Sequence, residues 1–314
     1  MVNKQQKIKK GVELVCPVCD KQIPNLSSHL PKTTRCVYCS AIFVTTPVSV
    51  KYKTNYYQDI KPSVFHLLFL PIEKLFYSLR VKTIQNALSR HSKESVILDY
   101  GCGSGKLVNY LITSGFKKTY GFEPSADARQ LAKKNGLKTI KENITPQKYD
   151  LIMFWHSLEH TKNPSVVIKK ITTYLKKNGR VLIAVPNAQS FESQITKDNW
   201  FHYSYPLHLI HFTPKSIIHL LTKYQYKKIK IDYFNPEYTL SGVIQSFLNL
   251  FFPKDVLYHS LSNRRSNQNN LEQIFYSLLS IIIVITFSPF IATLFIYLLI
   301  SKKTGAILVT ACRN

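Results

Sequence analysis

"SVILDYGCGSGKL", Ser95–Leu107, decides the fold. Ser95–Tyr100 is a short apolar run of strand type. Glycines at 101, 103 and 105 follow at once, and from Lys106 the apolar spacing turns helical. Glycines placed just past a strand let the backbone turn sharply and come close to a ligand. A dinucleotide loop would carry Gly-x-Gly-x-x-Gly, but residue 106 is Lys; a P-loop would end in Gly-Lys-Ser/Thr, but Leu107 follows Lys106. The loop specifies a strand–loop–helix unit without naming its ligand.

Outward from it, strand and helix signals alternate. "KTYGFEP" (118–124) reads as a second strand and "SADARQLAKKNG" (125–136) as a helix opened by Ser125 and closed by Gly136. "KTIKEN" (138–143) and "YDLIMFW" (149–155) read as strands three and four, "NPSVVIKKITTYLKKNG" (163–179) as a helix, and "RVLIAVPN" (180–187) as strand five. Such alternation predicts an α/β fold with a doubly wound parallel sheet, whose ligands sit beyond the carboxyl ends of the strands. Glu123 ends the second strand, where a carboxylate accepts hydrogen bonds from both hydroxyls of a ribose. Loop and acid together point to a nucleoside-type cofactor. Before this core, a helical period runs from Pro71, with Ile72, Leu75, Phe76, Leu79, Ile84, Ala87 and Leu88 on one face.

The chain of 314 residues has 45% hydrophobic residues, which supports a packed core and argues against global disorder. Its net charge of +25 favours anionic partners: nucleic acid, an acidic membrane surface or phosphorylated substrates. The basic start "MVNKQQKIKK" is followed by no apolar run, so a cytosolic, reducing setting is expected. Cys16, Cys19, Cys36 and Cys39 form two Cys-x-x-Cys pairs at the spacing of a four-thiolate zinc site. Two tight turns would each present two sulfurs to one structural ion, leaving no open position for catalysis. Two disulfides, or free thiols, are the alternatives.

"VILDYGCGSGKL", "YGFEP", "YDLIMFWHSLEHTKNP", "LKKNGRVLIAVPN" and "WFHYSYPLHLIHFT" occur in the order seen in class I S-adenosylmethionine-dependent methyltransferases. The stretch Ser95–Tyr233 resembles the broad branch that carries "LEH" after the fourth strand. The resemblance implies a Rossmann-like methyltransferase sheet and S-adenosylmethionine as cofactor. By position, Asp99 and the backbone of Gly101, Gly103 and Gly105 would hold the methionine end and Glu123 the ribose. Asn143 and Ile144 would flank the adenine, although the family more often has Asp at 143. A cysteine ribbon ahead of such a core also resembles some sugar-modifying and RNA-modifying members.

"HSLEH" places His156, Glu159 and His160 at helical spacing. Its letters match a metalloprotease motif, but its position directly after a sheet strand excludes that reading. A general base, a divalent-metal site of the kind the resemblance suggests, and plain hydrogen-bonded packing stay open for these residues. "WFHYSYPLHLIHFTPKS" (200–216) adds His202, His208 and His211 in an aromatic loop placed to cover a substrate. His156, His160 and His208 are the candidate catalytic residues.

"SLLSIIIVITFSPFIATLFIYLLI" (277–300) has no charged side chain and is long enough to cross a bilayer. In the fold that the resemblance implies, "KKIKIDYF" (227–234) is a sixth strand, and a last, antiparallel strand inserts back into the sheet; "GAILVTACR" suits it. Both ends of the intervening segment must then return to one domain. Pro289 would split the run, and Arg264, Arg265, Lys302 and Lys303 flank it with cations. A monotopic helical hairpin on the cytoplasmic face is expected, against a true span or a hairpin buried on a partner chain. The organisation expected is a zinc ribbon (1–50), a linker and N-terminal helix (51–94), a cofactor-binding core (95–234), a membrane-associated apolar helical insertion (235–303) and the last core strand (304–314). The expected activity is methyl transfer to a membrane-proximal small molecule, a nucleotide-linked or lipid-linked sugar or glycan precursor. The alternatives are an RNA methyltransferase, which the apolar stretch argues against, and a non-catalytic zinc-ribbon binding protein, which the intact glycines and Glu123 argue against.

Overall fold

The computed structural model describes residues 14–23, 32–45, 64–88, 92–144, 147–261 and 270–313. Residues 1–13, 24–31 and 46–50 of the expected ribbon, residues 51–63 of the expected linker, and Arg264 and Arg265 lie outside the described residues. Two small ladders open the chain: β1 (Leu14–Val15) pairs with β2 (Gln22–Ile23), and β3 (Thr33–Arg35) with β4 (Ile42–Val44). Then come α1 (Val64–Ala87), β5 (Ile97–Tyr100), α2 (Lys106–Thr113), β6 (Thr119–Phe122), α3 (Ala126–Lys134), β7 (Ile140–Lys141) and β8 (Tyr149–Trp155). They are followed by α4 (Pro164–Thr172), β9 (Leu175–Pro186), α5 (Phe191–Thr196), β10 (Ile210–His211), α6 (Pro214–Lys223) and β11 (Lys227–Asp232). The chain ends in α7 (Pro236–Leu248), α8 (Val256–Leu261), α9 (Asn270–Thr286), α10 (Ser288–Ile300) and β12 (Ala306–Cys312).

The central sheet has seven strands in the order β11-β12-β9-β8-β5-β6-β7, and β12 runs antiparallel to both its neighbours. Leu151, Ile152, Met153 and Phe154 of β8 are all buried, as a central strand covered on both faces requires. The chain winds outward through β5, β6 and β7, then returns to β8 and β9 on the other side of β5. The carboxyl ends of β5 and β8 therefore flank the crevice where such sheets bind ligands. Asp99 and the glycine loop lie at one end, His156 at the other.

Three local expectations need correction. The helix read as 163–179 stops at Thr172, because Leu175 already pairs with Tyr149 and Asn178 turns at φ 62° within β9. The third strand shrinks to Ile140–Lys141, since only those residues pair with β6. The helix before the core begins at Val64, and two of its apolar positions, Ile72 and Leu75, are exposed, while Tyr77, Ile84, Ala87 and Leu88 pack inward.

α7 belongs to the core. Gln245 and Asn249 are buried polar residues of its last turns: Gln245 Nε2 donates to Asn249 Oδ1 (2.8 Å), and Asn249 Nδ2 donates to the Asn199 carbonyl and Asp255. The helices α9 and α10 are different. They meet at a bend of 70°, and Ile285, Phe287 and Phe290 beside the bend are 66%, 55% and 65% exposed. Among the described residues no single helix is long and apolar enough to cross a membrane, although this bent pair passes together by length and composition. Because β12 lies between β9 and β11, both ends of the segment return to the same sheet edge.

Candidate functional site

Gly101 has φ 79°, and a Cβ there would stand 2.6 Å from Ser157 Cβ; at Gly105 (φ 72°) it would stand 2.5 Å from Leu137 Cδ2. Both the left-handed backbone and the close approach demand glycine. A Cβ on Gly103 would meet nothing within 4 Å, so that peptide borders open space. The Glu123 carboxylate accepts from the backbone N–H of Gly103 (Oε2, 2.9 Å) and of Ser125 (Oε1, 2.9 Å), which fixes it beside the loop. Asp99 is buried, and its Oδ1 has no hydrogen-bond partner. Burial, and then the Glu123 charge, push its carboxyl up to about 8 against the pull of Arg80. Past β7, Asn143 is exposed and Ile144 is buried in the core.

Three residues that the sequence did not announce, Arg80, Glu237 and Tyr238, complete this wall. Arg80 of α1 forms a two-pronged ion pair with Glu237 of α7, its Nε 2.9 Å from Oε2. Its guanidinium stacks over Tyr77 (4.5 Å), with Trp155 and Tyr238 each at 5.7 Å. Tyr238 in turn stacks on His156, with ring centroids 3.5 Å apart. Arg80 is the single arginine of α1, but Glu73, Lys74 and Lys82 are charged as well, so the pattern did not single it out; Glu237 and Tyr238 had no signal either.

The histidine cluster is not on one α-helical face. Leu158–His160 is a single 3₁₀ turn, and His156 sits before it at φ 51°. The departure from β8 at His156 brings its Nδ1 to 3.2 Å from Glu159 Oε1 and leaves Nε2 buried without a partner. Burial alone would raise Glu159, but the His156 hydrogen bond and the charges of His156, His160 and His208 outweigh it and hold the carboxyl at about 2. His160 Nδ1 lies 2.9 Å from the Leu207 carbonyl, and His208 Nδ1 lies 2.7 Å from that of His202. The His160 and His208 rings meet edge-on at 4.7 Å, and donor atoms of Glu159, His160 and His208 lie within 4.8 Å of one another. Burial, and then the His160 charge, push His208 well below its ordinary range. All three candidate catalytic histidines thus stand near the switch-point end of β8, with His160 held against the 200–211 loop and His208 carried by it. His211 belongs to β10, and both its ring nitrogens are buried without partners.

The four cysteines form a second buried centre. Two matching turns build it: Cys16 N donates to Lys21 O and Asp20 N to Cys16 O, and likewise Cys36 N to Ala41 O and Ser40 N to Cys36 O. Asp20 (φ 58°) and Ser40 (φ 66°) close the turns. The sulfurs of Cys16 and Cys39, and of Cys19 and Cys36, are 3.6 Å apart, and all four lie within 4.8 Å. A disulfide needs about 2.05 Å. Four bonds of about 2.3 Å to a tetrahedral ion place sulfurs about 3.8 Å apart. The donor set therefore fits one tetrahedral ion.

Residues 72–231, just over half the chain, match the family model described as a methyltransferase domain. Over 128 residues the chain is 31% identical to an uncharacterized methyltransferase of Anoxybacillus flavithermus, covering 37% of this chain and 59% of that protein. Over 102 residues it is 34% identical to a ubiquinone biosynthesis O-methyltransferase of Aeromonas salmonicida, covering 29% of this chain and 43% of that protein. The chain thus spans less than two thirds of the length of these curated relatives. A solved structure of a SAM dependent methyltransferase from Archaeoglobus fulgidus matches with a TM-score of 0.47 and 15% identity, over 80% of this chain and 100% of that one.

Proposed function

Because the chain belongs to the methyltransferase-domain family, we propose that it transfers a methyl group from S-adenosylmethionine to an acceptor bound beneath the 200–211 loop, at a membrane surface. The observation that carries the cofactor reading is the unpartnered, buried Asp99 Oδ1 beside the Gly103 opening and Glu123. Asp99 suits the cofactor's ammonium group, the glycine loop its methionine backbone, and Glu123 the ribose hydroxyls. Asn143 and Ile144 flank the adenine. When bound, the cofactor supplies an electrophilic methyl on a sulfonium. The protein then has to align the acceptor and remove its proton. His156 is suited to removing it, because Glu159 accepts from its Nδ1–H and Nε2 is left free to take the proton. His160 and His208 line the acceptor side. Calorimetric titration with S-adenosylmethionine tests the reading. Glu123→Ala should cost roughly 1.5–3 kcal/mol of affinity. A folded Glu123→Ala variant with unchanged affinity would show the site to be misplaced.

The zinc is held by Cys16, Cys19, Cys36 and Cys39 as a closed structural site. The apolar α9–α10 pair dips into one leaflet of an anionic membrane. Its 17 and 13 residues give helices of about 26 and 20 Å, each short of a hydrocarbon core of roughly 30 Å. Lys302 and Lys303 are exposed at its base, suited to lipid phosphates on the cytoplasmic face. A lipid-linked or nucleotide-linked sugar is the acceptor class this seat favours. The RNA reading has less support, since the ribbon's β4 edge is engaged by the core. Sedimentation with phosphatidylglycerol-rich vesicles checks the membrane seat. Replacing Phe287 and Phe290 together by Glu should weaken partitioning at least about tenfold. Equal partitioning of the variant, or none by the unaltered protein, would rule the seat out.

A further inference from the structure

We propose that the metal ribbon is a clamp on the loop that carries His208, so that metal occupancy sets the acceptor side of the site; this rests on the zinc reading above. Ribbon strand β4 does not end its ladder with β3. On its other edge it pairs with β10, Phe43 against Ile210 and Ile42 against His211. Beyond them the Val44 N–H donates to the Leu209 carbonyl (3.0 Å). Leu209 is held from the opposite side as well, since its own N–H donates to the Glu159 carbonyl (2.9 Å). One residue therefore links the ribbon to the "LEH" turn. His208 precedes it, and the neighbouring Leu207 carbonyl lies 2.9 Å from His160 Nδ1.

The clamp needs a fixed end, and the first knuckle provides it. The Ser165 N–H donates to the Pro17 carbonyl (3.3 Å), and the Ser165 hydroxyl donates to Asp20 Oδ2 (3.0 Å). Lys223 of α6 forms an ion pair with the same aspartate. The first knuckle is thus seated on α4 and α6, and the second knuckle leads into the strand that grips the loop. The close thiol pairs cross between knuckles, Cys16 with Cys39 and Cys19 with Cys36. An ion bound there joins the anchored half to the gripping half. Phe43, Leu209, Ile210 and Phe212 share one apolar core with Val18 and Ile23. β10 has only two residues, too short to hold its shape without a paired edge. The cofactor elements β5 and β6 have no hydrogen bond to the ribbon among the described residues, so cofactor binding should not share this dependence.

The experiment is hydrogen exchange by mass spectrometry on the full chain, with metal analysis and S-adenosylmethionine titration alongside. Protein purified without chelator should hold about one equivalent of zinc. Stripping it should speed exchange in residues 207–212 at least about tenfold, and restoring zinc should reverse this. Cofactor affinity should stay within about twofold throughout. Val44→Pro removes the donor to Leu209 without touching a thiol. It should keep its zinc and show the same faster exchange in the loop. Unchanged protection of 207–212 in zinc-loaded Val44→Pro, or after stripping, overturns the clamp. If Val44→Pro loses cofactor binding and so is misfolded, the strip-and-restore arm decides alone. If the purified protein neither contains nor takes up metal, the zinc reading fails, and Val44→Pro alone decides whether the ribbon grips the loop.

Discussion

His156→Asn is expected to lower turnover by about 10²–10⁴-fold while leaving S-adenosylmethionine affinity unchanged. Asparagine is the informative replacement for a geometric reason. His156 stands at φ 51°, a left-handed backbone that Asn tolerates better than Ala, Gln or a branched residue. An Asn amide also reaches toward Glu159 in place of Nδ1, so the carboxylate keeps a partner. What disappears is Nε2, the buried, unpartnered nitrogen assigned to take the acceptor's proton. His156 does not touch the Asp99–Glu123 side of the crevice through any hydrogen bond, so the cofactor should bind as before. His160→Asn and His208→Asn should act mainly on KM, because both rings are oriented by backbone carbonyls in the covering loop. Methyl-labelled S-adenosylmethionine with total membrane extract as acceptor source gives the rates. Near-normal turnover of His156→Asn at saturating cofactor would remove it as the base.

The sheet was legible because its signals are local. Residues 149–155 are an uninterrupted apolar-rich run of strand length, and glycines mark the turn after β5. The paired cysteines were legible for the same reason: two residues between thiolates is a property of one turn. The errors arose where a distant partner overruled a local pattern. "KKNG" at 176–179 has the look of a helix C-terminus, yet Leu175 is claimed by Tyr149 and the stretch extends β9. β10 is two residues in an aromatic loop, made a strand only by an edge lying far earlier in the chain. Arg80, Glu237 and Tyr238 come from α1 and α7, and nothing in either segment announces the other. "HSLEH" had helical spacing, but the spacing did not reveal that His156 leaves the strand in a left-handed turn. Function was legible to the level of the cofactor because the loop and Glu123 sit on adjacent strands. The proposed acceptor side draws on the 200–211 loop, α7 and the end of β8, three separate stretches of chain with no contiguous signature.

Glu192→Gln should stabilise the protein selectively at alkaline pH. Glu192 is wholly buried at the start of α5, and neither carboxylate oxygen has a hydrogen bond of good geometry, although its own N–H, Ser190 and Trp200 stand close enough to offset part of the burial. Its Oε1 lies 2.6 Å from where a Cβ on Gly305 would stand and 3.3 Å from one on Gly242. Burial pushes its carboxyl from 4.5 up to about 7. The sign follows from proton counting. Between pH 4.5 and 7 the folded chain holds a proton on Glu192 that the unfolded chain has lost, so stability falls as pH rises through this window. Above pH 7 the full cost is present, on the order of 3 kcal/mol. Burial and then the His156 charge push the nearby His202 down to about 4, so its own contribution rises with pH between 4 and 6.5; being common to variant and wild type, it cancels in their difference. Glutamine removes the ionisation but brings an amide that also lacks partners, a cost that does not vary with pH. The quantity to read is therefore the variant-minus-wild-type difference in unfolding free energy at pH 8, less the same difference at pH 5. Urea titrations at the two pH values give it. It should be positive and of the order stated. A value near zero would mean that Glu192 ionises freely, and that its apolar seat among Gly242, Gly305 and α7 is not closed to water.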